Sequence, residues 1–300
     1  MSRPVVVGVD GSPESLAAAE WAAREAVRRD LPLHLVHASE WSTDQPPSAA
    51  ASTVRRHIGR GVLRKAEERV GRACPEVRLT DEHVEGPAAA ALSDAAQNAE
   101  LLVLGSRGLS GFTGFLVGSV AQAVVALARR PVVLVEAGER SEDEHLPDED
   151  GNLSLLTPYR DVVLGIDVGN ACDEVIEFAF EAARLRGATL HAVHAWDSSS
   201  AVALGSGGPD IGDEHRREEE WRGLLSAVLQ NWRDKYPGVS VTETVVKGRA
   251  GTHLVRTASG AGLLVVGRRV RESRLGPRTG PVTHTVIHHA RCPVAVVAHA

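Results

Sequence analysis

Cysteine and aromatic residues are scarce in this sequence. Its 300 residues include only three cysteines, Cys74, Cys172 and Cys292, which stand far apart without a CxxC pair. This spacing argues against a disulfide framework and against a thiolate zinc site. Aromatic residues make up only 4%, so Val, Leu, Ile and Ala must form the core. That composition favours buried parallel strands and alanine-rich helices.

Long apolar runs and an excess of positive charge are also missing. No apolar run reaches the roughly 18 residues that span a bilayer, and the chain opens on a strand-like segment instead of a signal sequence. The net charge of -6 argues against general attraction to nucleic acid or acidic lipid, since both need a basic surface. We therefore expect a cytoplasmic protein that binds neither membranes nor nucleic acid.

Several enzyme signatures are absent as well. The sequence has no GxxxxGK[ST] phosphate loop and no GxGxxG after its first predicted strand, which argues against the usual ATPases and dinucleotide-dependent dehydrogenases. His284 and His288 lie four residues apart on a predicted helix, but no carboxylate stands between them as in an HExxH zinc site. We therefore predict no metal site and no catalytic residue.

What the sequence does contain is one pattern written twice. Four short strand-like segments recur in the same order in each half. The matched segments are residues 5–10 (VVVGVD) and 162–167 (VVLGID), 34–38 and 191–195, 101–107 and 263–269, and 130–136 and 292–298. Two copies in one order predict two domains of one fold, and the length is about twice a usual domain of roughly 150 residues.

The repeat sets the expected domain boundaries. We predict one domain over residues 1–137 and a second over residues 159–300. The segment between them, residues 138–158, carries two runs of Asp and Glu and is interpreted as a solvated acidic linker.

Short apolar runs alternate with longer helical patterns inside each copy. In the first copy this alternation predicts strands at 5–9, 33–38, 77–84, 101–104 and 132–135, and helices at 13–29, 54–70, 88–97 and 119–129. Strand–helix alternation with right-handed crossovers gives a parallel, doubly wound sheet. The predicted fold class is therefore α/β, with two tandem doubly wound, five-stranded parallel-sheet domains.

Ligands of such sheets sit at the carboxyl ends of the strands. In the first copy the first strand ends at Asp10, whose carboxylate suits ribose hydroxyls. The fourth runs into Gly105-x-x-Gly108, followed nine residues later by Gly118-Ser119 at a predicted helix start. Glycines let backbone amides approach a phosphate, and the helix start adds its dipole and a hydroxyl.

This glycine pattern closely resembles the ATP-binding motif of the universal stress proteins. The VGVDGS opening, the HLVHA strand and the final RPVVLV strand are similar to that family too, and the resemblance covers both copies. It implies a Rossmann-like domain of the universal stress protein type, in which one set of residues holds the adenosine and the phosphates. The implied nucleotide-binding residues are Val9, Asp10, Ala38, Gly105, Arg107, Gly108, Gly118, Ser119 and Val120.

The second copy departs from that motif. The second glycine is replaced by Val270, and the Gly-Ser pair becomes Gly280-Pro281, which removes an amide donor and a hydroxyl. Several arginines on the same loop could bind an anion by charge instead, so nucleotide binding here is expected to be weak or altered. The residues of this doubtful second site are Asp167, Ala195, Gly267, Arg268, Gly280 and Val282.

The resemblance implies an ATP-binding stress-response regulator, with the nucleotide, and magnesium if it accompanies ATP, held mainly by the first domain. Catalysis is expected to be limited to slow ATP hydrolysis or autophosphorylation. A homodimer or an intramolecular pseudo-dimer and a protein partner are expected, with Val132–Val135 and Val294–Val297 as candidate pairing strands. Two alternatives stay open: a nucleotide-free scaffold, and a sensor of another adenylate such as cyclic AMP.

Overall fold

The computed structural model has two compact units, Met1–Ser141 and Glu142–Arg269 with Gly280–Ala300. The residues it describes are 2–39, 49–106, 117–197, 211–270 and 279–300.

A five-stranded parallel sheet forms the centre of the first unit, with strand order β3-β2-β1-β4-β5. Val5 in β1 is opposite Leu33 on one side and Leu101 on the other, and all three are fully buried, as expected of strands covered on both faces. The elements are β1 (Val5–Gly8), α1 (Pro13–Arg28), β2 (Leu33–Ser39), α2 (Ala49–Ala73), β3 (Leu79–Glu85), α3 (Ala88–Gln97), β4 (Leu101–Gly105), α4 (Ser119–Leu127) and β5 (Val132–Val135).

Helix α1 begins where its capping residues dictate. Ser12 is the N-cap, and its hydroxyl accepts a hydrogen bond from the Ser15 amide at 3.1 Å, while Pro13 occupies the first turn, where no amide is needed. The helix buries an alanine-rich face together with the whole of Trp21. Its start is therefore fixed directly beside the end of β1.

The second unit repeats this arrangement. Its strands follow the parallel order β8-β7-β6-β9-β10, so β6 and β9 take the places of β1 and β4. The elements are β6 (Val162–Gly165), α5 (Asp173–Arg186), β7 (Leu190–Trp196), α6 (Ile211–Lys235), β8 (Val241–Lys247), α7 (Ala250–Ala258), β9 (Leu263–Arg269), α8 (Pro281–His289) and β10 (Val294–His299). The predicted α/β fold class, with two tandem parallel sheets, is confirmed.

The segment 138–158 is not a solvated linker throughout, and that prediction was wrong in part. Ser141–Glu144 forms a short 3₁₀ helix, and the Glu144 and Arg186 side chains are each only 1% exposed, with Oε2 and Nε 4.0 Å apart. A run of acidic residues reads as solvated because the sequence does not reveal that one of them has a buried arginine nearby. The rest of the segment is more open, and Leu156 is 97% exposed.

Most predicted elements agree with the structure to within a few residues. The largest difference is α2, which was predicted over 54–70 and extends over Ala49–Ala73. Within the described ranges, no helix combines the length and the apolar character needed to cross a bilayer.

Candidate functional site

A cavity of about 510 Å³ opens at the carboxyl ends of β1 and β4. These strands are neighbours in the sheet, yet the chain leaves β1 toward β2 on one side and β4 toward β5 on the other. This is the switch point at which open α/β sheets bind ligands. Among the residues that line the cavity are Val9, Asp10, Ser15, His37, Ala38, Ile58, Val62, Gly105, Gly118, Ser119, Val120 and Ala121.

Asp10 lines the cavity. Its Oδ1 accepts hydrogen bonds from the Ser12 amide at 2.9 Å and from the Ser12 hydroxyl at 2.5 Å. Burial raises the pKa of Asp10, but hydrogen bonds from Ser12, from Ser15 and from the backbone of Asp10 itself together outweigh it and hold this pKa below its ordinary value. The group is therefore an ionised acceptor, suited to paired hydroxyl donors such as those of a ribose.

The start of α4 supplies backbone donors to the same cavity. The Gly118 amide is not one of them, because it donates to the Ser106 carbonyl at 2.8 Å. The donors of the first turn are the amides of Ser119, Val120 and Ala121, which have no acceptor among the described residues and lie at the positive end of the helix dipole. Ala121 was not predicted, because nothing in its side chain marks it.

Gly105 is required by packing as well as by any ligand. A Cβ at this position would lie 2.8 Å from the Glu14 carbonyl carbon and 2.9 Å from the Ser15 amide nitrogen. Both are backbone atoms at the start of α1, which cannot move aside. The glycine therefore lets the end of β4 and the start of α1 meet at the cavity floor.

The remaining wall combines apolar side chains with His37, which His83 backs from outside the lining. Ile58 and Val62 of α2 line the cavity, and neither was predicted, although their spacing of four residues places them on one helix face. His37 donates from Nδ1 to the Val9 carbonyl at 2.7 Å, and its ring stacks on that of His83, with centroids 5.5 Å apart. This wall suits a planar apolar group such as a nucleobase.

Seven of the nine predicted nucleotide-binding residues therefore line one cavity. They are Val9, Asp10, Ala38, Gly105, Gly118, Ser119 and Val120. Arg107 and Gly108 lie outside the described residues, so their predicted roles stay predictions.

The second unit has a matching cavity of about 420 Å³ at the ends of β6 and β9. Five of the six residues of the doubtful site line it: Asp167, Ala195, Gly267, Gly280 and Val282. Arg268 does not; it is 5% exposed, and the neighbouring Arg269 lines the cavity in its place. Successive residues of a strand point to opposite faces, which explains why only one of the two arginine side chains lines the cavity.

The chemistry of this second cavity differs from that of the first. Both carboxylate oxygens of Asp167 accept hydrogen bonds from their own loop, from the Gly169 amide at 3.2 Å and from the Asn170 side chain at 3.0 Å. Pro281 occupies the first position of α8 and removes one amide donor. Both oxygens of the aspartate are therefore engaged in this cavity, and its helix start offers one backbone amide fewer than α4.

An aromatic wall is the other difference. His194, which corresponds to His37, donates from Nδ1 to the Ile166 carbonyl at 3.0 Å and packs against Trp221 with ring centroids 4.7 Å apart. In the first unit the ring against the histidine comes from strand β3, whereas here it comes from helix α6. The second cavity therefore lies at the same place in its sheet as the first cavity but is lined by different side chains.

Metal-binding groups are sparse in both units. The described ranges bring together no group of three or more His, Cys, Asp or Glu side chains that could hold a metal ion. Magnesium usually keeps several waters and binds through substrate phosphates. We therefore expect any magnesium at this site to be held by the nucleotide and water.

Comparisons with known proteins agree with the repeat. The model of the universal stress protein family matches residues 1–136 and 158–298. A universal stress protein of Mycobacterium tuberculosis is 33% identical over 313 aligned positions, covering 99% of each chain, and a second from the same species is 32% identical, covering 98% of this chain and 96% of its own. The crystal structure of a universal stress protein from Archaeoglobus fulgidus superposes with a TM-score of 0.70 at 17% identity, covering all of both chains.

Proposed function

This chain belongs to the universal stress protein family, and on that premise we propose that it binds ATP or a related adenine nucleotide in the cavity of its first unit. The observation that carries the proposal is the convergence of Asp10, the apolar wall of α2 and the first-turn amides of α4 on one cavity of about 510 Å³. A carboxylate for ribose, a flat apolar wall for a base and a helix start for phosphate are the three parts that a nucleotide requires.

Regulation fits this site better than turnover. Hydrolysis of ATP needs a group that positions the attacking water and a group that holds the metal near the phosphates. Among the described residues that line the cavity, Asp10 is the one carboxylate, and its Oδ1 is already bonded to Ser12. We assign the protein a signalling role in which bound nucleotide changes the surface that a partner recognises, with hydrolysis slow at most.

The first test counts nucleotide on the purified protein. The protein is denatured, released nucleotides are identified by mass spectrometry, and ATP binding with magnesium is measured by calorimetry. Gly118→Val places a branched side chain at the cavity edge, whereas Gly280→Val is its counterpart in the second unit, where a Cβ meets nothing within 4 Å. We expect about one adenine nucleotide per chain, lost in Gly118→Val and retained in Gly280→Val.

Other outcomes would change the proposal in defined ways. Two nucleotides per chain would mean that the second cavity also binds one. Tighter binding of cyclic AMP than of ATP in a competition titration would favour the sensor of another adenylate. Absence of binding at millimolar ATP with magnesium would leave the nucleotide-free scaffold. The expected homodimer or pseudo-dimer, the protein partner and the cytoplasmic location stay predictions from the sequence.

A further inference from the structure

The second cavity contains a thiol that has no counterpart in the first. Cys172 lines it, is partly exposed and forms the N-cap of the 14-residue helix α5. The residue at the same place in the first repeat, Ser15, is buried, and its hydroxyl is used internally, donating to the Ser12 carbonyl at 3.1 Å. The replacement therefore puts a reactive atom where the first unit has a structural one.

Two side chains place the thiol in a setting that favours reaction. The Sγ atom lies 3.0 Å from Nδ1 of His299 and 3.1 Å from the Asn170 carbonyl. Nδ1 also lies 3.0 Å from the Ala300 carbonyl, so the imidazole takes the thiol proton in the tautomer that carries its own proton on Nε2. The guanidinium of Arg269 lines the same cavity and can stabilise negative charge on a departing group. The start of α5 adds the positive end of its helix dipole.

The cavity also shows a polar atom that lacks a partner. His194 is only 3% exposed, and its Nε2 has no hydrogen-bond partner among the described residues, while its ring lines the same cavity. Buried polar atoms are seldom left unpaired. This observation is independent of the thiol and indicates that the cavity accepts a ligand.

We propose that Cys172 is a modification site that reacts with small-molecule disulfides, with His299 as its general base. Thiol–disulfide exchange needs no oxidant other than the disulfide itself. The inference concerns the second unit and does not depend on nucleotide binding in the first.

His299 Nδ1 takes the proton from Cys172 Sγ, and the sulfur attacks one sulfur of the disulfide. A new bond joins Sγ to that sulfur, the old sulfur–sulfur bond breaks, and its electron pair leaves on the second sulfur beside Arg269. That thiolate then takes the proton from His299 and departs as a thiol, leaving a mixed disulfide that occupies part of the second cavity.

Without a base, the thiol of Cys172 would react slowly with disulfides. Burial, followed by the charge of Glu174, raises the pKa of Cys172, and Asp167 and Asp173 act in the same direction against Arg269. A cysteine with such surroundings and no assistance should react more slowly in the folded protein than in the unfolded chain. If His299 acts as the base, Cys172 should react faster in the folded protein than in the unfolded chain. The order of these two rates therefore distinguishes an assisted thiol from an unassisted one.

The test follows each cysteine with 2-hydroxyethyl disulfide, a small neutral probe. The three cysteines fall on three different tryptic peptides, so mass spectrometry under non-reducing conditions gives three rates from one sample. Cys74 and Cys292 are internal controls, since they are only 5% and 6% exposed. We expect Cys172 in the folded protein to react at least about tenfold faster than the same residue in urea-unfolded protein, given the roughly 10²–10⁴-fold that a positioned base contributes.

Variants then test the base. His299→Gln should slow the reaction of Cys172 by about 100-fold, whereas His289→Gln, at an exposed histidine of the same unit, should leave it unchanged. A Cys172 rate in folded protein no higher than in unfolded protein would overturn the proposal without any variant. An unchanged rate in folded His299→Gln would overturn the role of the imidazole.

Discussion

The Ser12 hydroxyl donates a 2.5 Å hydrogen bond to Oδ1 of Asp10 and accepts one from the Ser15 amide at 3.1 Å. One side chain thus caps helix α1 and orients the carboxylate of Asp10, which lines the first cavity. Stability and ligand recognition are therefore coupled at this position.

Ser12→Ala should lower the free energy of unfolding by about 1–2 kcal/mol, the usual cost of a lost N-cap, and should weaken nucleotide binding by releasing Asp10. The measurement is urea unfolding followed by calorimetric titration. Ser93→Ala is the matched control, because the Ser93 hydroxyl donates to the Ala89 carbonyl within helix α3 and such bonds add little to stability. Equal effects of the two substitutions would contradict the coupling.

The corresponding glycines of β4 and β9 should differ in their tolerance of a methyl group. In Gly105→Ala the new Cβ meets backbone at 2.8 Å, whereas in Gly267→Ala it meets the side chains of His299 and Val175 at 3.1 and 3.2 Å. We expect Gly105→Ala to cost about 1–3 kcal/mol and to abolish nucleotide binding, and Gly267→Ala to cost clearly less. Chemical denaturation of both variants measures the difference, and a larger loss in Gly267→Ala would argue against the packing explanation.

Helix α2 offers a similar comparison within two residues. A Cβ at Gly59 would lie 2.7 Å from the His83 ring and 3.0 Å from the His37 ring, while at Gly61 it meets nothing within 4 Å. Gly61→Ala should stabilise the protein by roughly 0.5–1 kcal/mol, the intrinsic preference of a helix for alanine. Gly59→Ala should instead separate the stacked histidines and destabilise the protein. Thermal unfolding of the two variants should therefore shift in opposite directions.

Acid should destabilise the second unit through His194. Burial lowers the pKa of His194 below the ordinary histidine value of 6.5, so in the pH range between the two values the unfolded chain binds a proton that the folded protein does not. Stability must then fall as the pH drops through the unfolded-state value toward the folded one. His194→Phe should make the loss of stability between about pH 7.5 and about pH 5.5 smaller, while His215→Phe, whose histidine side chain is 81% exposed, should not. Parallel slopes for His194→Phe and wild type would refute this assignment.

Much of the fold could be predicted because its rules are local. The repeated VVVGVD and VVLGID segments predict two buried strands, and Ser12-Pro13 marks a helix start that the structure places at Pro13. The same rules bring Asp10, Ala38 and Ser119 to one edge of a sheet, and all three line the first cavity.

What could not be predicted depends on contacts between distant segments. The acidic run around Glu144 gives no sign of Arg186, and the pairing of Gly118 with the Ser106 carbonyl is a property of the folded loop ends. Likewise, nothing in the sequence shows that Trp221 of α6 packs against His194. Arg268 and Arg269 are adjacent in sequence and equal in charge, so only the geometry of β9 decides which one faces the cavity.

The Glu144–Arg186 contact limits how modular the two halves are. The family match resumes at residue 158, but the second unit includes residues from Glu142 onward. A separately expressed second half that began at residue 159 would lack the Glu144 carboxylate that lies 4.0 Å from the buried Arg186 guanidinium, and removing one partner of a buried pair is strongly destabilising. The duplicated halves are consequently no longer interchangeable parts: the later one has incorporated the connecting segment, and the minimal independent fragment should start at residue 142 or earlier.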